Sequence, residues 1–258
     1  MDISTLFSVQ GKVALVTGGS RGIGEMIARG YVAGGAKVYI SSRKAEVCDA
    51  LAAELSADGT CISLPADLST PEGCRELAAA FAAREPELDI LVNNAGAAWG
   101  EPIEEYSADG FGKVLDLNVK AVFVLTQALL PQLRAAASAD DPARVIDIGS
   151  IDGIQVPSLP TFAYSASKAA VHQLTRHLAK ELAGDHINVN AIAPGLFPSK
   201  MTAFMFEEHE EALLAQIPLG RAGTAEDMAG IALYLGSRAS AYTTGAIIPV
   251  DGGHATVR

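Results

Sequence analysis

A tyrosine and a lysine stand four residues apart at Tyr164 and Lys168, in the stretch TFAYSASKAAVHQLTRHLAKEL. A helix puts positions i and i+4 on one face. A phenol ordinarily titrates near about 10 and is a poor acid–base group at neutral pH. An adjacent ammonium favours the phenolate and lowers that value. The pair is therefore matched to proton exchange with a carbonyl or alcohol oxygen. Tyr-x3-Lys alone is a common spacing, equally compatible with a core tyrosine and a surface lysine, so its surroundings decide. Ser150 ends the apolar run RVIDIGS. Ligands gather at the carboxyl ends of parallel strands, where a serine hydroxyl can hold a substrate oxygen. Asn118, in DLNVK, lies inside an apolar helical pattern, and a buried amide demands polar partners.

A second constellation lies near the start. TGGSRGIG, Thr17 to Gly24, follows the first apolar run and opens the first helical pattern. Gly18, Gly22 and Gly24 permit a tight turn and close backbone approach to a diphosphate. The helix start beyond them offers unpaired N–H groups and a favourable dipole end. Turns also need glycine, but the strand–loop–helix position favours a dinucleotide against Gly18, Ser20, Arg21, Gly22, Ile23 and Gly24. An NAD-selective site usually places a carboxylate at the end of the second strand. Here that strand ends Ser41-Ser42-Arg43-Lys44. Arg43 is suited to clamp a 2′-phosphate, with Arg21 in reach and Ser42 adding a donor. The expected cofactor is NADP(H).

These groups need a frame. Short β-branched runs cover Val13 to Thr17, Val38 to Ser42, Cys61 to Pro65, Ile90 to Asn94, Arg144 to Gly149, Ile187 to Ile192 and Ala246 to Val250. Most are apolar throughout, as parallel strands covered on both faces should be. Helical patterns alternate with them at Gly22 to Ala33, Glu46 to Ala57, Pro71 to Arg84, Phe111 to Ala136, Tyr164 to Ala183 and Ala225 to Leu235. Asp67-Leu68-Ser69-Thr70-Pro71 supplies a capping residue before proline at a helix start. The alternation predicts an α/β Rossmann fold with a doubly wound, seven-stranded parallel sheet. One domain is expected over 1–258, with a strandless helical lid inserted at 194–223.

Composition narrows the function classes. The 258 residues are 49% hydrophobic and carry a net charge of −11, which does not favour nucleic acid. Cys48, Cys61 and Cys74 form no CxxC pair, and an odd count argues for isolated thiols in a reducing compartment. MDISTLFSVQGK lacks the basic and apolar regions of a secretory signal. AVFVLTQALLPQL, from Ala121, is too short to span a bilayer. A cytoplasmic protein with no metal and no membrane partner is expected. His209, within the acidic run Glu207 to Glu211, has no second ligand at metal-binding spacing.

In order, the chain carries TGGSRGIG, ADL (Ala66 to Leu68), NNAG (Asn93 to Gly96), LNV (Leu117 to Val119), IGS (Ile148 to Ser150), YSASK (Tyr164 to Lys168), NAIAPG (Asn190 to Gly195) and DGG (Asp251 to Gly253). Together these resemble the classical short-chain dehydrogenase/reductase family over essentially the whole length. The resemblance implies Tyr164 as acid–base residue, Lys168 holding the nicotinamide ribose, Ser150 orienting the carbonyl and Asn118 supporting a water. It implies that Asp67 and Leu68 flank adenine and that Asn94, Ala95 and Gly96 line the cofactor wall. Pro194, Gly195 and Phe197 would border the nicotinamide, and Ser199 would add a hydroxyl. NNAGAAWG, DDPARVIDIGS and GLFPSKMT further resemble bacterial 3-oxoacyl reductases of the rhamnolipid type.

The substrate signal is apolar. Trp99, Met201, Phe204 and Met205 are expected to line a pocket with Ser150, suiting an acyl chain, although each also suits lid packing. The leading expectation is NADPH-dependent reduction of a ketone, chiefly a 3-oxoacyl thioester. An NADP-dependent dehydrogenase of a sterol, polyol or other lipophilic alcohol is the alternative, and a non-enzymatic nucleotide sensor is a third. Carrier-protein reductases of this type tend to carry arginine where Ala183-Gly184-Asp185 stands, which leaves coenzyme A thioesters and free ketones open. Apolar faces on the two longest helices, and the family resemblance, imply a homotetramer with a dimer as alternative.

Overall fold

The structure is a computed structural model, and it describes residues 2–199 and 211–257. Seven strands form one all-parallel sheet: β1 (Val13–Thr17), β2 (Lys37–Ser41), β3 (Thr60–Ser63), β4 (Ile90–Asn93), β5 (Ala143–Ile148), β6 (Ile187–Pro194) and β7 (Ile247–Val250). Their order is β3-β2-β1-β4-β5-β6-β7. Strand order reverses between β1 and β4, which pair as Ala14 with Ile90 through Val16 with Val92. A crevice opens at such a switch point, beyond the carboxyl ends of the strands.

The strands are apolar throughout because both faces are covered. A short α1 (Ile3–Leu6) precedes the sheet, and Ala14 and Val16 of β1 point into one core with Ile27 and Tyr31 of α2 (Gly22–Ala33). Leu15 points into the other, with Leu77 and Phe81 of α4 (Pro71–Ala82). α3 (Ala45–Leu55) lies on the first face with Cys48 and Leu51. The last helix follows a capping box in which Thr224 Oγ1 accepts from Asp227 N and Asp227 accepts from Thr224 N. That helix, Ala225–Gly236, completes the first core through Met228, Ala232 and Leu235. All three cysteines are buried and free.

β1 and α2 have the expected bounds, and most other elements shift by one or two residues. Thr70 caps α4, accepting from Gly73 N at 3.1 Å, while Asp67 accepts from Ser69 N in the preceding turn. The helix expected over Phe111 to Ala136 is corrected. It starts earlier as α5 (Ala108–Leu115), widens into a π turn (Asp116–Lys120), and resumes as α6 (Ala121–Ala128). It then bends by 58° into α7 (Leu130–Ala136). Pro131 explains the bend, since it lacks an N–H and its ring clashes with a preceding carbonyl. The helix expected at Tyr164 begins two residues earlier, as α8 (Phe162–Leu182).

In the expected lid, β6 runs to Pro194, beyond the predicted Ile192, and residues 211–214 are helical. Met201, Phe204, Met205 and the acidic run up to residue 210 lie outside the described residues. Among the described residues no single helix is long and apolar enough to cross a membrane.

Candidate active site

α8 carries the Tyr–Lys pair, and its start is fixed from outside the helix. Thr161 offers no side-chain cap. Instead Ala163 N donates to the Tyr106 hydroxyl at 3.2 Å, and that hydroxyl donates to Trp99 O at 3.0 Å. The Tyr106 ring meets Phe162 edge-on at 5.3 Å and Phe111 at 6.2 Å. Tyr106 was not singled out from sequence. Its signal was present: it precedes the N-cap Ser107 and packs on the fourth helical residue, Phe111, as a hydrophobic staple.

Ser150 follows β5 at the carboxyl edge of the sheet. Its hydroxyl accepts from Asp152 N at 3.1 Å, within a 3-10 turn (Ile151–Gly153), and it acts on the Tyr164 phenol in favour of the ionised form. Lys168 is 6% exposed and donates from Nζ to Ile148 O at 2.7 Å. Its Nζ lies 5.4 Å from the centroid of the Tyr164 ring. The expected trio is therefore brought together.

The electrostatic balance differs from expectation. Burial pushes the Tyr164 phenol up to about 12, the Ser150 hydroxyl opposes this, and Asp152 adds to it. Desolvation of the phenolate is the largest influence on it. Burial likewise pushes Lys168 down to about 8, while the Asp147 and Asp152 carboxylates hold it up. At neutral pH the phenol keeps its proton and the amine keeps its charge.

Asn118 sits within the π turn, 2% exposed. Its Oδ1 accepts from Ala97 N at 2.8 Å, and its Nδ2 donates to Ala97 O and to Ser167 Oγ, each at 2.9 Å. Ser167 in turn donates to Tyr164 O at 2.7 Å. The buried amide thus has the polar partners its position demanded. It ties the loop after β4 to the first turns of α8. π turns recur at functional sites because the extra residue redirects a side chain.

The glycine loop forms a cradle. Gly18 and Gly22 have φ of +61° and +58°, which side chains rarely adopt. A Cβ on Gly24 would lie 2.4 Å from both Asn94 Nδ2 and Gly18 O. That amide donates to Thr17 O at 2.9 Å and Gly18 O at 3.1 Å. Thr17 Oγ1 accepts from Asn94 N and Ala95 N, locking the two loops at the switch point. Thr17 opens the TGGSRGIG motif, and its role in bonding the loop after β4 has no signal in the sequence. Gly96 also lies against Asn118 Oδ1, 3.2 Å from where its Cβ would stand. Arg21, the N-cap of α2, makes no side-chain cap bond, leaving the first N–H groups of α2 available to an anion.

The remaining candidates surround this cradle. Ser20 and Ile23 lie within the loop, and Ser199 Cβ would stand 3.4 Å from a Cβ on Gly22. Arg21 and Arg43 are exposed, and neither forms an ion pair among the described residues. Arg43 helps hold the Asp67 carboxyl below its usual range, after the bonds from Ser69. Ser42 Oγ donates to Lys44 O at 3.3 Å. Leu68 is buried in the second core. Pro194 ends β6 beside Val250, and Gly195 N donates to Val250 O at 3.0 Å. Phe197 is 3% exposed, with its ring against Gly223. Trp99 is half-exposed and its ring packs on Gly110. Positive-φ glycines, an uncapped helix start and exposed guanidinium groups fit a dinucleotide diphosphate with an added phosphate.

A family model described as enoyl-(acyl carrier protein) reductase matches residues 18–255. The rhamnolipids biosynthesis 3-oxoacyl-(acyl-carrier-protein) reductase of Pseudomonas aeruginosa is 54% identical over 249 residues, covering 96% of this chain and 97% of that protein. Galactitol 2-dehydrogenase (L-tagatose-forming) of Cereibacter sphaeroides is 39% identical, covering 98% of this chain and 99% of that protein. A solved Pseudomonas aeruginosa RhlG/NADP active-site complex has a TM-score of 0.95 at 53% identity, covering 97% of this chain and 99% of that one. The chain belongs to the short-chain dehydrogenase/reductase family.

Tyr106→Phe keeps the ring contacts and removes the hydroxyl between Trp99 and Ala163. Urea denaturation should show a loss of about 1 kcal/mol. Steady-state turnover should fall as well, and wild-type turnover would remove Tyr106 from the support of the site.

Proposed function

We propose that the chain is an NADPH-dependent reductase that converts a ketone to a secondary alcohol, with 3-oxoacyl thioesters as the substrate class. The observation that carries this reading is geometric: Lys168 Nζ, 5.4 Å from the centre of the Tyr164 ring, is anchored on Ile148 O two residues before Ser150, at the carboxyl edge of a sheet whose switch point carries a glycine cradle. NADPH, when bound, supplies the hydride. Ser150 and Tyr164 hold the ketone oxygen. Tyr164 releases its proton to that oxygen as negative charge develops there, and Ser150 stabilises the charge as a preorganised donor. The Lys168 ammonium stabilises the phenolate left behind. Asn118 keeps the Ala97 loop and the Tyr164 turn in register.

Gly18, Ser20, Gly22, Ile23 and Gly24 receive the diphosphate at the start of α2. Arg43, Arg21 and Ser42 take the 2′-phosphate. Asp67 and Leu68 flank adenine; Asn94, Ala95 and Gly96 form the wall behind the ribose; Lys168, Pro194, Gly195, Phe197 and Ser199 surround the nicotinamide end. NADP in the RhlG complex supports this cofactor.

An apolar rim supports the acyl substrate. Trp99, Ile103, Ile154 and Val156 are exposed on loops around the start of α8, and Phe162 is exposed in its first turn. The name of the rhamnolipid relative points the same way. The galactitol relative keeps a polyol dehydrogenase as the second reading. The chain works as a single domain in the cytoplasm, and Met201, Phe204 and Met205, outside the described residues, would serve the acyl chain. Phe123, exposed on α6, supports assembly of a homotetramer through helix faces.

NADPH oxidation measured over 3-oxoacyl thioesters of graded length, beside NADP reduction by polyols, tests the function. Activity should rise with acyl length; polyol oxidation as the faster reaction would select the second reading. Tyr164→Phe should abolish turnover while NADPH still quenches or transfers fluorescence on binding; near-wild-type rate would refute the proton donor. Arg43→Asp should move preference toward NADH, and an unchanged cofactor ratio would remove Arg43 from the phosphate site. kcat/KM reports the free enzyme's titrations. Because Lys168 loses its charge as pH rises through about 8 while Tyr164 stays protonated, kcat/KM for reduction should fall above that pH. Lys168→Met should be slow and lack that limb; a profile flat to high pH would contradict the assignment.

A further inference from the structure

A second carboxyl group is buried behind the site, and the mechanism above does not use it. Asp147 of β5 is 0% exposed. It immediately precedes Ile148, whose carbonyl accepts from Lys168 Nζ at 2.7 Å. Its Oδ1 accepts from Asn93 Nδ2 at 2.9 Å, and its Oδ2 accepts from Thr175 Oγ1 at 2.8 Å. Neither partner carries a charge. A buried carboxylate without a cation in direct contact is costly. The cation acting on it is the Lys168 ammonium, two turns before Thr175 on α8.

The bonding around Asp147 suits either protonation state. Thr175 Oγ1 also lies 2.9 Å from Val171 O. With Asp147 ionised, the threonine proton points to the carboxylate. With Asp147 protonated, its own O–H donates to Thr175 Oγ1 and the threonine donates to Val171 O. No donor or acceptor is lost between the two states. The site is thus built to tolerate a carboxyl whose charge depends on its neighbour.

We propose that Asp147 is a positioning residue for the reaction: a buried counter-charge that acts through Lys168 and keeps that amine protonated beside the Tyr164 phenol. Other titratable groups face Lys168 too. Asp152, in the turn after Ser150, adds a second negative field and is itself raised by burial. Tyr164 lies one turn up on α8. His172 lies one turn down and is pushed to about 4 by burial, then by Lys168 and Arg176, so it is neutral above that pH. Asp147 and Asp152 are therefore the anions acting on Lys168, and only Asp147 is fully enclosed.

The test is Asp147→Asn, which keeps the shape and lets the amide bond Asn93 and Thr175. In the cofactor-free protein, NMR of lysine ε-carbons, with Lys168 assigned through Lys168→Met, reads the amine directly. Its titration midpoint should move about one pH unit toward acid. The basic limb of kcat/KM should move in the same direction. A purely structural role would lower stability and leave both midpoints in place, and that result would overturn the proposal. Should Asp147→Asn fail to fold, the reciprocal measurement serves, because coupling between two sites is symmetric. Carboxyl-carbon NMR of Asp147 should then titrate at higher pH in Lys168→Met than in the wild type, and an unchanged midpoint would overturn the proposal. The direct titrations depend on no substrate, so they separate this inference from the assignment of 3-oxoacyl reduction.

Discussion

The site depends on an ammonium held where water cannot solvate it. Lys168 is almost fully enclosed at the carboxyl edge of the sheet, and taking a charge out of water costs several kcal/mol. One short bond to Ile148 O offsets part of that cost, and two carboxylates offset more. What remains leaves the amine charged at neutral pH with little margin. The phenol beside it is shifted the other way by the same burial, so it keeps its proton. One desolvated pocket therefore gives a proton donor and a cation that welcomes the resulting phenolate.

That arrangement dictates the surrounding architecture. α8 must be straight and fixed at its start, because Tyr164 lies in its first turn. Tyr106 meets that need from the loop after β4, and the Asn118–Ser167 bond meets it from the π turn. The same loop, through Asn94 and Ala95, is bonded to Thr17 and Gly18 at the end of β1. Proton chemistry and dinucleotide cradle are thus joined by a single polar chain across the switch point. A shift in any one loop would reach both.

Much of this was legible in the residues themselves. β1 and α2 could be bounded to the residue because an apolar run, a glycine turn and a helical pattern meet there without ambiguity. Tyr164, Lys168 and Ser150 were brought together as their spacing and strand-end position implied. The π turn was not legible. Its extra residue answers to bonds that Asn118 makes with Ala97 and Ser167, and no neighbour in sequence announces them. The bend before α7 was legible in Pro131 and was overlooked under a continuous apolar pattern. The raised phenol could not be read at all, since burial is a tertiary property and opposes the local influence of the lysine. Asp147 was equally hidden: within RVIDIGS it reads as a polar interruption of a strand.

The most direct measurement is a crystal structure with NADP bound. The account predicts the diphosphate on the Thr17–Gly24 loop, with the Tyr164 hydroxyl and the Lys168 amine both at the nicotinamide riboside. A Tyr164 hydroxyl turned into packed interior, away from the nicotinamide ring, would contradict it.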